Sequence, residues 1–208
     1  MKRLHLRNIA VAIVAVASVA AIATAGSPLG IGTAAVMTDY KMESVDGSWV
    51  SFDSVKGEKG TLVVFSCNEC PWVIGWEERM TKLFNKVGEH GVGVLYVNSN
   101  DPAISKSDRI ELMKARSDKR GFKFHYVVDK GSKLAHAYGA TRTPEAFLFD
   151  SNNTLVYHGT IDDNMRNAAA VEKTYLKDAI KALINGEEIA TKETKALGCT
   201  IKFSKSTD

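Results

Sequence analysis

The sequence predicts an α/β domain, a central β-sheet flanked by helices, with a small N-terminal β-hairpin and a C-terminal extension. Two patterns carry this reading. Between residues 62 and 138, short continuous apolar runs alternate with segments whose apolar residues recur at helical spacing, which predicts a largely parallel sheet with crossover helices. After residue 138 the alternation stops. Ala146-Phe147-Leu148-Phe149 and Leu155-Val156-Tyr157-His158 are separated by only five polar residues, the pattern of an antiparallel hairpin, so the sheet as a whole is mixed.

Taken in chain order, the first segment stands apart from that domain. Lys2, Arg3 and Arg7 precede an uncharged stretch over residues 9–22, made almost wholly of Ala, Val and Ile, and then comes Ala23-Thr24-Ala25-Gly26. This is the layout of a secretory signal cleaved after Ala25. The competing reading is an uncleaved membrane anchor, for which the run is short, since a span takes about 20 apolar residues. No cysteine lies near the junction, which excludes lipid attachment at a mature N-terminal cysteine. The functional part is thus expected outside the cytoplasm, periplasmic or extracellular, where thiols can be oxidised and kept so.

Residues 38–55 hold short alternating segments around Val45-Asp46-Gly47-Ser48, whose Asp-Gly step signals a hairpin. Leu62-Val63-Val64-Phe65 reads as a buried strand ending at Ser66-Cys67, and Trp76, Met80, Leu83, Phe84 and Val87 then recur at helical spacing. A second buried strand over residues 92–97 closes at Asn98-Ser99-Asn100-Asp101-Pro102. A polar helix over 107–119, a strand over 124–128 and a short helix around 133–138 follow. Beyond the hairpin, a last amphipathic helix carries Val171, Tyr175, Leu176, Ile180, Leu183 and Ile184, and Gly186 supplies its stop. Residues 36–186 are therefore expected to form the domain. Residues 187–208 form the extension, polar except over 197–203.

Composition narrows the function. With 45% hydrophobic and 25% charged residues and three cysteines, the chain is neither disordered, collagen-like nor a disulfide scaffold. Its 27 basic side chains outnumber 24 acidic ones only by the three in the leader, and no Lys/Arg run follows. The electrostatic footprint of a nucleic-acid binder is missing.

Cys67-Asn68-Glu69-Cys70 lies where a strand ends and a helix begins. Free N–H groups and the dipole of a helix start stabilise a thiolate, so Cys67 is expected to be the nucleophile with the lower thiol pKa, and Cys70 to resolve the mixed disulfide. Pro71 is tolerable in the first turn. A static disulfide and a zinc half-site are the plainer alternatives. Zinc would need two more ligands, and only Cys199 and dispersed histidines remain, so no metal or other cofactor is expected. His90, His125, His136 and His158 stand singly and read as structural or solvated. Thr143-Pro144, just before a strand, is alone an ordinary loop proline; with the Cys67/Cys70 unit it becomes the wall of a substrate groove. Arg142 borders that groove and is a candidate to steer an acidic or peroxide substrate, and Trp72 is a candidate to face it, although Trp72 and Trp76 lie a turn apart and suit packing. Cys199 is the odd cysteine. It is either a third redox thiol or a packing residue, and the complete Cys67/Cys70 pair predicts that it stays outside the turnover cycle.

Phe65-Ser66-Cys67-Asn68-Glu69-Cys70-Pro71-Trp72, Thr143-Pro144-Glu145-Ala146-Phe147, Gly159-Thr160-Ile161-Asp162-Asp163-Asn164 and Gly198-Cys199-Thr200-Ile201-Lys202 together resemble the thioredoxin-fold redoxins, specifically a peroxiredoxin-like branch of the AhpC/TSA group with C-x-x-C. The resemblance spans residues 36–203. It implies a thioredoxin-like fold, a redox pair at Cys67 and Cys70, and a cis peptide at Thr143-Pro144 facing that pair. The chain departs from the family pattern in two places. The peroxidatic P-x-x-x-T-x-x-C pattern is broken, with Gly60 and Val64 before Cys67, and Val63 and Cys67 before Cys70. The buried acid that thioredoxin keeps six residues before its first cysteine is here Thr61.

The expected function is an exported thiol-disulfide oxidoreductase acting on protein or small-molecule thiols and disulfides, served by a redox partner that the sequence does not identify. Backbone at Thr143-Pro144 is expected to bind an extended substrate chain by strand-like hydrogen bonds. A thiol peroxidase using Cys67 is the alternative enzyme, and a redoxin-fold binding module with a fixed disulfide is the non-enzymatic one. Nucleic acid is not an expected partner, and a membrane is one only if the leader stays uncleaved.

Overall fold

The computed structural model describes residues 27–204. The leader, read over residues 1–25, lies outside the described residues.

Strand β3 (Gly60–Ser66) is buried along its whole length because helices cover both faces of the sheet. Its alternate residues point opposite ways. Leu62 and Val64 enter a cluster with Val73, Trp76, Met80, Phe84 and Val87 of α2 (Pro71–Val87) and Leu176, Ala179 and Ile180 of α5 (Tyr175–Asn185). Val63 and Phe65 enter a second cluster with Phe52 of α1 (Phe52–Val55) and Leu134, Ala135 and Tyr138 of α4 (Lys133–Tyr138). Each fully buried side chain of this size contributes about 1.5–3 kcal/mol of transfer free energy. The docking of α2 therefore rests on its 3–4 spacing of apolar residues.

The seven-stranded sheet runs β2-β1-β5-β4-β3-β7-β8. The central strands β3, β4 (Val92–Asn98) and β5 (His125–Val128) are parallel neighbours, joined through α2 and through α3 (Ile110–Arg120). The hairpin of β1 (Met42–Ser44) and β2 (Trp49–Val50), turned at Asp46-Gly47, adds antiparallel to β5. On the other side β7 (Glu145–Asp150) pairs antiparallel with both β3 and β8 (Leu155–Gly159). The parallel part is thus confined to three strands, less than the alternation alone predicted, because both flanking hairpins join antiparallel.

Two boundaries differ from expectation. The last helix starts at Tyr175, not near Val171. Asp163 accepts the Glu172 N–H at 3.1 Å, and Thr174, just ahead of the first turn, bonds Asp178 at 2.8 Å. Helix α1 was not foreseen; it is a single turn held by a capping box between Ser51 and Ser54. At the C-terminal stop of α5, Gly186 has φ 71°, the left-handed conformation glycine tolerates best.

The C-terminal extension packs back on the body. His158 donates its N–H to Lys192 O at 2.9 Å and accepts from Thr194 N–H at 3.0 Å, so residues 192–194 run along the outer edge of β8. Ile201 is buried, and Phe203 stacks on His136 at 4.5 Å. Between these anchors a two-residue strand, β9 (Cys199–Thr200), pairs antiparallel with β6 (Arg142–Thr143).

Candidate active site

Ser66 ends β3 beside Asn98 at the end of β4, and Glu145 starts β7 beside Phe65. Three elements therefore deliver their ends to one place at the carboxyl edge of the parallel strands, where open α/β sheets present their sites. Cys67 follows β3 directly, and Thr143-Pro144, a cis peptide, enters β7. The Thr143 hydroxyl lies 3.3 Å from the Cys67 sulfur, and the Thr143 carbonyl lies 3.0 Å from the Cys70 sulfur. Both cysteines are buried.

The helix begins later than the cysteine spacing suggested. Pro71 occupies the first helical position, where its missing N–H costs nothing, and Cys70 is therefore the N-cap. Hydrogen bonding then pushes the two thiols in opposite directions. The Cys67 thiol donates to the Cys70 sulfur, and donors from the Cys199 thiol, the Val73 N–H and the Cys199 N–H add to it, so that the Cys70 thiol is held down at about 4 against the opposing effect of burial. The Thr143 carbonyl accepts from the Cys70 thiol at 3.0 Å and so favours its protonated form. Cys67 moves the opposite way. Its hydrogen bond to Cys70 pushes it up most, burial adds to that, and the Asp108 carboxylate adds further, against a bond from Thr143. Burial first, then the Cys70 sulfur, pushes Cys199 up to about 11. Of the three thiols, the surroundings favour ionisation of Cys70 over that of Cys67 and Cys199.

The loop between the cysteines is fixed through Asn68, which uses all its polar atoms. Its N–H donates to Asp108 Oδ1 at 2.7 Å, its side-chain amide donates to Ser107 O at 2.7 Å, its Oδ1 accepts from Tyr126 at 3.0 Å, and its carbonyl accepts from Arg116 at 2.6 Å. Arg116 and Arg120 clamp the buried Glu77 of α2, each at 2.5 Å. Asp108 also accepts from Asn98 and Asn100, both at 2.8 Å, and from Ser105 at 2.6 Å. The carboxylate near Cys67 therefore comes from the turn before α3, while Thr61 is buried in the sheet with its hydroxyl unpartnered.

Among the remaining candidates, Thr143 and Pro144 stand against the cysteines as the resemblance implied. Arg142 turns to the extension and donates to Thr200 Oγ1 at 3.0 Å. Trp72 packs against Trp76, with ring centroids 5.5 Å apart and the rings tilted by 41°. Trp76 is fully buried and bonds Asp162, which Arg79 pairs at 2.9 Å. Cys199 is brought to the pair rather than packed away from it. Sequence reading missed Asn68, Asp108, Arg116 and Glu77. No group of three or more His, Cys, Asp or Glu that could hold a metal occurs among the described residues, and none of their helices is long and apolar enough to cross a membrane.

Residues 32–158 match the AhpC/TSA family. The thiol-disulfide oxidoreductase ResA of Halalkalibacterium halodurans is 26% identical over 118 residues, 57% of this chain, and the match spans 62% of that protein's length. The crystal structure of a hypothetical protein from Sinorhizobium meliloti 1021 superposes with a TM-score of 0.80 at 30% identity, covering 88% of this chain and 100% of that one. The thioredoxin domain of a thiol-disulfide oxidoreductase from Bacteroides vulgatus superposes with a TM-score of 0.51 at 21% identity, covering 62% and 88% respectively. That last likeness is one of fold, and the fold is the thioredoxin-like one.

Proposed function

The chain belongs to the AhpC/TSA family, and on that footing we propose that it is an exported thiol-disulfide oxidoreductase exchanging disulfides through Cys67 and Cys70. The observation that carries the reading is the placement of both thiols at a helix start and against the cis Thr143-Pro144 edge, with the Thr143 hydroxyl 3.3 Å from the Cys67 sulfur and the Thr143 carbonyl 3.0 Å from the Cys70 sulfur. A thiolate, not a thiol, attacks a disulfide.

Cys70 attacks one sulfur of the substrate disulfide, and the other sulfur departs as a thiolate that takes up a proton. The mixed disulfide no longer carries charge on Cys70, so the largest influence holding the proton on Cys67 disappears. Cys67 then loses that proton and attacks the Cys70 sulfur. The second substrate thiol leaves, and two electrons have passed from the pair to the substrate; run backwards, the same steps oxidise a dithiol. The ResA relative and the leader pattern support thiol-disulfide chemistry outside the cytoplasm. The substrates are thiols or disulfides of proteins or small molecules, and a separate redox partner restores the pair.

Single-cysteine variants expressed in the exporting compartment test this. In a Cys199→Ser background, which leaves no third thiol to resolve the adduct, Cys67→Ser is expected to accumulate mixed disulfides on Cys70, visible on non-reducing gels, and Cys70→Ser few. Adducts mainly on Cys70→Ser would restore Cys67 as the attacking group. Adducts on neither, with a wild-type pair that does not equilibrate with glutathione, would leave a fixed bridge and refute the enzyme. N-terminal sequencing of the mature wild-type protein checks export, with Gly26 expected first and Met1 refuting cleavage.

A further inference from the structure

The edge of the chain before the cis proline, where an extended substrate would pair, is occupied by the protein itself. Strand β9 lies antiparallel to β6 with Cys199 opposite Thr143 and Thr200 opposite Arg142, and Ile201 N–H donates to Thr141 O at 3.0 Å. The approach is close enough that Gly198 has no room for a side chain: a Cβ there would lie 2.2 Å from the Thr143 carbonyl oxygen and 3.2 Å from Pro144 N. Cys199 packs against the cluster that contains Cys67 and Cys70, and Thr143, its partner across the strands, reaches both of their sulfurs, at 3.3 and 3.0 Å. Cys199 thus occupies the place of a substrate cysteine, held by strand pairing.

We propose that Cys199 is a third redox thiol and β9 a tethered substrate strand, so that Cys199 takes over the disulfide formed by Cys67 and Cys70. The inference rests on the oxidoreductase reading and deepens it. The step is an isoelectronic exchange. The Cys199 sulfur attacks Cys70, the Cys70–Cys199 bond forms as the Cys67–Cys70 bond breaks, and the proton leaving Cys199 ends on Cys67. No further oxidant is consumed. Formation of the Cys67–Cys70 bond also prepares the attack, because it removes the charge and hydrogen-bond demand of Cys70 that help to keep the proton on Cys199, while Lys202 and the Trp72 N–H continue to favour its thiolate. An incoming protein strand must displace β9 to reach the same edge.

Disulfide mapping tests the proposal. The protein is equilibrated with oxidised glutathione, quenched in acid, alkylated and cut with trypsin. Residues 60–79 then carry both Cys67 and Cys70, and residues 196–202 carry Cys199. Wild type is expected to give the internal 60–79 bridge together with a 60–79/196–202 cross-link, and Cys67→Ser the cross-link through Cys70. Gly198→Ala, which forces a Cβ against Thr143, is expected to lower the cross-link at least tenfold and keep the internal bridge. No cross-link in wild type or Cys67→Ser, or one undiminished in Gly198→Ala, overturns the proposal. Absence of the internal bridge overturns the oxidoreductase reading instead, and the same digest separates the two.

Discussion

Replacing Asp108 by alanine is expected to loosen the site more than any exposed change nearby. The carboxylate is buried and accepts four hydrogen bonds. The Ser105 hydroxyl can turn toward Ser107 Oγ, 3.4 Å away, and Asn98 keeps a bond to the Tyr126 hydroxyl at 3.2 Å. The Asn68 N–H has no such freedom, and Asn100 retains no partner for its amide N–H at this site. Each buried donor left without an acceptor costs about 1–3 kcal/mol. Counting Asn68 in full and the Asn100 amide at the lower end gives a loss of about 2–4 kcal/mol. Denaturant titration of reduced wild type and Asp108→Ala measures it, and disulfide turnover should fall with it because Asn68 sets the loop between the cysteines. A loss below about 1 kcal/mol, with turnover intact, would refute the view that this network holds the site in place.

Ultraviolet absorbance of the thiolate, read as wild type minus Cys70→Ser, should titrate with a midpoint near 4; a midpoint in the ordinary thiol range would show that the donors around Cys70 do not hold its charge. Because that folded-state value lies below the unfolded one, the contribution of Cys70 to the stability of reduced protein is fully present above the unfolded thiol pKa and is lost as pH falls toward about 4. Cys199, raised to about 11, acts in the opposite sense and removes stability as pH rises from the unfolded value toward 11. Hydrogen peroxide should react with the reduced protein at a rate closer to a free thiolate than to a dedicated peroxidase, since Val63 and Cys67 stand where the peroxidatic pattern before Cys70 has proline and threonine. A fast stopped-flow phase lost in Cys70→Ser would show the opposite.

Strong local signals made much of the fold legible. The Asp46-Gly47 turn, the apolar run of β3, the short loop between β7 and β8 and the Gly186 stop each appear where local chemistry puts them. The site was legible in its parts and less so in their order. Reading Pro71 as the first helical residue would have identified Cys70 as the N-cap, since proline favours that position. The sequence marked α3 only as a polar helix, yet Arg116 and Arg120 reach the buried Glu77, a pairing decided by tertiary approach that no periodicity records. Likewise β6 and β9 are two residues each and far apart in sequence, too short for any pattern to announce them.

The anchoring of the extension limits how its strand can move. Residues 192–194 are sewn to β8 on one side, and on the other Lys202 donates to Asn100 at 2.7 Å and accepts from Asp101 at 2.8 Å. The short span between these seams carries β9 in its middle, and any outward buckle there must break the pairing with β6 and lift the buried Ile201. Peeling the whole extension away would uncover the outer edge of β8, an open row of strand groups able to pair with another copy of the chain. A buckle uncovers only the edge beside the cis proline. Opening confined to that span would leave the β8 edge covered by residues 192–194.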